Sequence, residues 1–129
     1  MDSSEFEAFL KSFYAARIEG EVEALGGMFA DDAHFRIVGS PESSMLATSV
    51  QGREGITGLF RTITDSFALD AFSMEDLLMD GNKAAVRWSA RVQNITSGDT
   101  FTTELADFIE ISGGKIISLS EFLDTALAG

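Results

Sequence analysis

The sequence predicts an α+β domain in which three helical segments cover one face of a curved antiparallel sheet. Three observations carry this. Before residue 69, apolar residues recur in three segments at steps of three and four, the period of a helix with one buried face. From Leu69 onward the pattern alternates and is broken by Asp80-Gly81-Asn82, Ser97-Gly98-Asp99 and Gly113-Gly114, the turn chemistry of a meander. Finally, 129 residues at 45% apolar composition fit a single core without repeat or linker, so residues 1–129 read as one domain.

The first helix spans 5–19. Ser4 and Glu7 offer a capping box, Phe6, Phe9, Leu10, Phe13, Tyr14 and Ile18 form its apolar stripe, and Gly20 is its stop. A second helix over 21–30 carries Val22, Leu25 and Phe29 and is weakened by Gly26-Gly27. Residues 33–38 read as a short strand. Gly39 to Gly52 is Ser-rich and without period, which fits a lid, a binding loop or a plain connection. The third helix, 53–68, presents Ile56, Leu59, Phe60, Ile63 and Phe67. Its Gly52, Gly55 and Gly58 lack the spacing and the lysine of a phosphate loop. Strands over 69–79, 83–93, 101–112 and 115–123 complete the meander.

Composition narrows the functional classes. Nine basic residues against 21 acidic ones give a net charge of −12, which repels phosphate backbones and anionic lipid, so no nucleic acid and no membrane partner is expected. No apolar run reaches the length of a membrane span, and the acidic start Met1-Asp2-Ser3-Ser4-Glu5 is unlike a secretory leader; a cytoplasmic protein is expected. With no Cys and one His, neither a thiol nucleophile nor an ordinary zinc site is expected, and no cofactor is implied. Asn94-Ile95-Thr96 has the pattern of a glycosylation site but no leader to go with it.

Chemistry is read from the strand faces. The odd rows Thr103, Leu105, Asp107, Ile109, Ile111 and Ile117, Leu119, Glu121, Leu123 are apolar, each interrupted by one carboxylate. A three-residue loop with a Gly bulge at Gly113-Gly114 sets Asp107 opposite Glu121 or Leu119 and keeps both rows on one face. Two carboxyls on an apolar face raise each other's pKa, the condition for proton donation near neutrality. In strand 83–93 the even row is Ala84, Val86, Trp88, Ala90 and Val92, and the odd row contains Arg87 and Ser89. By polarity alone the odd row faces solvent. His34 alternates with the apolar Ala33, Phe35 and Ile37 and is expected to point away from any pocket.

Helix, helix, Phe29-Ala30-Asp31-Asp32-Ala33, loop, Gly52-Arg53-Glu54-Gly55-Ile56, meander, Gly114-Lys115-Ile116 and Glu121-Phe122-Leu123-Asp124 together resemble the nuclear transport factor two-like superfamily, in its SnoaL-like and ketosteroid isomerase-like branches. The resemblance implies a cone-shaped curved antiparallel sheet closed by the helices, an internal pocket and a homodimer. The oxyanion Asp of ketosteroid isomerases aligns with Asp107, their general-base Asp with Ile37 and their oxyanion Tyr with Phe13, one place from Tyr14. The Asp–Arg–Asp set of limonene epoxide hydrolase aligns with Ser89, Arg87 and Glu121, and its water-holding Tyr and Asn with Phe35 and Ile37. The family pocket turns Arg87 and Ser89 inward, against the reading from polarity alone, and gives Arg87 a partner in Asp107. Trp88 and its row then lie on the outer face as the dimer surface.

The expected site therefore has Glu121, Asp107 and Arg87 as catalytic groups, with Arg87 holding Asp107 ionised and Glu121 donating the proton. Phe13, Phe35, Ile37, Phe60, Ser89, Leu105 and Ile109 would bind an apolar small molecule. The expected activity is acid–base isomerisation, cyclisation or hydration. A non-catalytic ligand-binding domain and a dimerisation module with a filled pocket stand as alternatives.

Overall fold

The computed structural model describes residues 1–39 and 47–124. Helix α1 (Ser3–Glu19) starts from a capping box two residues earlier than expected, with Asp2 and Glu5 as the reciprocal pair, and ends at Gly20 in the left-handed conformation (φ 70°). Helix α2 (Val22–Gly27) is shorter than the expected 21–30 because the chain turns at Met28 into strand β1 (Phe29–Val38). Gly26 has a packing role there: a Cβ on it would meet Thr57 Oγ1 at 2.1 Å, so only glycine lets α2 lie this close to α3. Strand β2 (Thr48–Gln51) emerges from the Ser-rich stretch and pairs antiparallel with β1. The remainder of that stretch, 40–46, with its expected lid role, lies outside the described residues. Helix α3 (Arg53–Ser66) follows, then β3 (Phe67–Asp80), β4 (Lys83–Asn94), β5 (Thr100–Ser112) and β6 (Lys115–Phe122).

These strands form one six-stranded sheet in the order β2-β1-β6-β5-β4-β3. The expectation of an antiparallel sheet needs one correction: β1 and β6 are parallel neighbours, because β1 is the first strand in the chain and inserts beside the last. The Gly113-Gly114 expectation is corrected as well. Ser112 pairs with Lys115 across a tight two-residue loop, with both glycines at positive φ. A register shift next to Ile111 then restores odd-with-odd pairing, so Asp107 still faces Glu121.

The concave side holds the core. Phe6, Leu10, Phe13 and Tyr14 of α1 and Ile56, Phe60 and Ile63 of α3 pack on Phe29, Phe35, Trp88, Ile109 and Leu119 of the sheet. In β4 it is the even row, Ala84, Val86, Trp88, Ala90 and Val92, that is buried. Trp88 is therefore not part of an outer dimer surface. The large apolar side chains exposed on that side are Leu78, Phe108 and Phe122.

Strand β3 contains one strained residue. Between the pairs Asp70–Arg91 and Ser73–Ser89, two β3 residues oppose the single Ala90, a bulge in which Ala71 sits at φ 53°. A left-handed alanine costs about 1–2 kcal/mol. Ala71→Gly removes that strain and adds some backbone entropy to the unfolded chain, so a net gain of about 0.5–1 kcal/mol is expected. Urea unfolding checks this; a loss of stability would show that Ala71 is not strained.

Candidate functional site

Five side chains from four elements of the fold meet inside the cone. Helix α1 contributes Tyr14 and Arg17, three residues apart and so on one helix face. Strand β4 contributes Trp88, β5 Asp107 and β6 Glu121, all from inward-facing rows. Asp107 and Glu121 are direct cross-strand partners and are 0% and 1% exposed. Arg17 is 7% exposed. Its two terminal nitrogens donate to the two oxygens of Glu121 at 2.9 and 2.8 Å, a bidentate ion pair. The guanidinium carbon lies 5.3 Å from the centre of the Phe60 ring and 5.5 Å from that of Trp88.

Asp107 is bound differently. Its Oδ2 accepts from the Tyr14 hydroxyl at 2.6 Å and from Trp88 Nε1 at 2.8 Å, whereas Oδ1 has no donor in the protein. Its carboxyl neighbour is Glu121, and two ionised carboxyls would face each other as acceptors. One proton resolves this. Carried on Asp107, it turns the contact into a hydrogen bond accepted by Glu121.

The electrostatics agree with this assignment. Burial, then the Glu121 charge, push the Asp107 carboxyl well above the usual carboxylate range, and the opposing pulls of Arg17 and the Tyr14 hydrogen bond do not offset them. Burial alone would raise Glu121 too, but the Arg17 charge and its hydrogen bonds hold Glu121 below the ordinary value. Arg17 stays protonated, because the attraction of Glu121 outweighs the burial of its charge. Tyr14 is kept as a neutral donor by burial and by the neighbouring Asp107. The cluster thus holds one cation, one carboxylate and one neutral acid.

Next to it lies a cavity lined by Arg17, Ile37, Ile63, Phe67, Leu69, Trp88, Val92, Phe101, Thr103, Leu105, Glu121 and Leu123. Among the described residues, Glu121, Arg17 and Thr103 are its polar wall residues, with the Trp88 indole beside them. The cavity measures about 40 Å³, room for about three water molecules. Among the described residues no three His, Asp or Glu side chains gather as metal ligands would.

Of the expected site residues, Asp107 and Glu121 are brought together, and Glu121, Ile37 and Leu105 line the cavity. Phe13, Phe35, Phe60 and Ile109 are instead close-packed core, the first three in a web of ring contacts with Phe29. Arg87 and Ser89 are not in the site. Both point to the outer face, where Arg87 is half exposed and pairs with Asp76 and Glu104, and Ser89 donates to Glu75. The alternation that buries Trp88 forces its odd-numbered neighbours outward. The expected division of labour between the acids is reversed accordingly: Glu121 has the arginine, and Asp107 has the proton. His34 lies on the outer side of β1 and bonds Ser49 Oγ at 2.8 Å.

The sequence reading missed Arg17, Tyr14 as an Asp107 partner, and Trp88 as a donor. Arg17 did leave a signal. Phe6, Leu10, Phe13 and Tyr14 lead by helical steps to position 17, where a charge falls on the buried stripe.

A six-stranded curved sheet packed by N-terminal helices is the nuclear transport factor two-like, ketosteroid isomerase-like fold. The chain belongs to the SnoaL-like domain family, whose model matches residues 10–119. No curated protein matches the sequence. Among solved structures, a nuclear transport factor two-like protein from Burkholderia xenovorans is 23% identical over 99% of this chain and 96% of its own, with a TM-score of 0.78. A ketosteroid isomerase-like protein from Catenulispora acidiphila, in complex with trimethylamine, is 18% identical over 93% and 89%, TM-score 0.77. An M. tuberculosis epoxide hydrolase of the limonene epoxide hydrolase-like kind is 13% identical over 96% and 86%, TM-score 0.78. At these identities the likeness is one of fold.

Two substitutions separate the roles of the acids. Glu121→Gln leaves Arg17 buried without a counter-charge and is expected to lower stability by about 3–5 kcal/mol. Asp107→Asn replaces a neutral acid by an amide that still accepts from Tyr14 and Trp88 and still donates to Glu121, a change expected to stay within about 1 kcal/mol. Urea titration of both variants measures this, and the opposite order would place the proton on Glu121.

The pH dependence has a sign to test. Above the ordinary carboxyl pKa of about 4 the unfolded chain releases the Asp107 proton while the folded chain keeps it, so this residue's contribution falls as pH rises through its raised folded value. Glu121 acts oppositely: its contribution is full above its unfolded pKa and falls as pH drops through its depressed folded value. Asp107→Asn removes only the first effect. Its melting temperature relative to the parent should therefore climb between pH 4 and 7, and a flat difference would mean that Asp107 is ionised.

Proposed function

We propose that this SnoaL-like chain is a cofactor-independent enzyme that carries out acid–base isomerisation, cyclisation or hydration of an apolar small molecule. One observation supports the reading above others: a carboxyl pair holding a single proton, neutralised by Arg17, opens through Glu121 onto a largely apolar cavity. A neutral carboxylic acid kept protonated by its surroundings is a general acid at neutral pH. In this reading the Asp107 O–H bond breaks, its proton passes to Glu121 and from there to an oxygen of the bound molecule, where a new O–H bond forms. The pair is left doubly ionised, beside the Arg17 charge, until a proton returns from the product or from water. Tyr14 and Trp88, both donating to Oδ2, fix the carboxyl that stores the proton. The fold likeness to an epoxide hydrolase-like protein fits this class of chemistry.

A second reading, a non-catalytic ligand-binding domain, is favoured by the apolar Ile37 at the position where the ketosteroid isomerase resemblance puts a base. Cyclohexene oxide and cyclohex-3-enone, both neutral and oxygen-bearing, distinguish the two. The parent chain is expected to turn over at least one of them, and Asp107→Asn to be about 10²–10⁴ times slower while remaining folded. The rate should fall as pH rises through the Asp107 titration, since the acid must be protonated. Binding of both compounds without turnover would establish the second reading, and an Asp107→Asn variant as fast as the parent would remove Asp107 from the chemistry.

A further inference from the structure

Two spaces lie on either side of one aromatic wall. The inner one is the cavity of about 40 Å³ described above, with Trp88 in its lining. The outer one is a groove of about 420 Å³ between α1 and β3, lined by Tyr14, Ala15, Ile18, Phe72 and Met74 and by the charged Lys11 and Glu19. Phe72 packs on both wall rings: its centre is 5.4 Å from that of Tyr14, nearly parallel at 23°, and 5.6 Å from that of Trp88. Tyr14 and Trp88 are themselves 5.4 Å apart. Both donate to Asp107, so the wall that separates the spaces is also the support of the buried acid.

Phe72 is held there by an irregular backbone. It belongs to the bulge in which two β3 residues oppose Ala90, next to Ala71 at φ 53°. A bulge re-aims a side chain, and a non-glycine residue in the left-handed region stores strain that a small backbone movement releases. The ring is only half buried. Size gives the second argument. A cavity for about three waters cannot hold a molecule of the size that small-molecule sites usually enclose, several hundred Å³. The groove supplies that volume, and departure of Phe72 from the wall would join it to the cavity.

We propose that the groove and the cavity are two halves of one binding site for a neutral, flat, apolar molecule, and that Phe72 occupies the place of that molecule's ring. The Ala71–Phe72 bulge is the movable partition. The ligand class follows from what the vacated slot offers: the faces of Tyr14 and Trp88, with the apolar Ile18 and Met74 along the groove. Anions are disfavoured by the chain's net charge of −12. The proposal concerns how a molecule reaches the cavity, and it stands whether or not the carboxyl pair is catalytic.

Trp88 is the only tryptophan and so reports on the wall directly. The probe is prodan, a neutral naphthalene ketone whose emission shifts to the blue in apolar surroundings. Phe72→Ala is expected to bind prodan at least tenfold more tightly than the parent chain and to make Trp88 several-fold more quenchable by acrylamide. Ala71→Gly keeps the ring and removes the strain, so it should bind prodan two- to fivefold more weakly than the parent. In the unsubstituted chain, saturating prodan should shift the NMR signals of the Ile18 and Met74 methyls together with the Trp88 indole N–H, a measurement that needs no variant to fold. The proposal is overturned if the indole signal stays fixed while the methyls move, if Phe72→Ala gains quenching without prodan affinity, or if Ala71→Gly binds more tightly than the parent. None of these readouts requires turnover, so a failed activity assay leaves this test intact.

Discussion

The bidentate bond between Arg17 and Glu121 is the contact on which the interior is organised. It joins the last turn of α1 to β6, and the guanidinium is flanked by Phe60 of α3 and Trp88 of β4. Four elements therefore converge on one buried cation. Such a charge is tolerated away from water only with a well-placed counter-charge, because desolvation of either ion alone costs several kcal/mol. That requirement fixes Glu121 as a carboxylate. Once it is fixed, Asp107 opposite it cannot also ionise without setting two like charges against each other. The protonation pattern of the site is thus a consequence of where Arg17 sits.

The same constraint explains the shape of the Asp107 environment. Its Oδ2 receives two donors, an arrangement that would usually favour an ionised carboxyl, and yet burial and Glu121 prevail. The donors act on orientation more than on charge. They occupy one oxygen and leave Oδ1 without a donor, while Glu121 is the carboxyl's cross-strand neighbour. Tyr14 and Trp88 also form the aromatic partition with Phe72, so the geometry of the acid and the accessibility of the cavity depend on the same two rings.

Much of the fold was legible in the sequence, because amphipathic periods and Gly-containing turns report directly on local structure. The Asp107–Glu121 pairing was legible too, since only one parity keeps Ile109 and Leu119 on the buried face. The means was not: a tight turn followed by a bulge gives the same parity as a longer loop. The parallel pairing of β1 with β6 is a long-range choice that no local pattern encodes. For β4, polarity alone gave the right face, and the family alignment that turned Arg87 inward gave the wrong one. An arginine with Asp76 and Glu104 beside it on the solvent face has no need of a buried acid. Arg17 escaped notice because the helical stripe was continued through Ile18, one residue further, where an apolar side chain was available.

The ketosteroid isomerase resemblance puts a base at position 37, where this chain has an isoleucine. Ile37 and Glu121 are direct partners on the parallel β1–β6 pair, and both line the cavity. Neighbouring strands lie about 4.8 Å apart, so a carboxylate on β6 reaches much of the space that one on β1 would serve. The two positions differ in what surrounds them. A carboxylate at 121 meets Arg17 from α1 and the Asp107 proton from β5, and is thereby made a weak base tied to a stored proton. On the proposed function, an acid pair with a resident cation favours giving a proton to an oxygen over taking one from a carbon, which is the physical reason to look for substrates among neutral oxygen-bearing molecules.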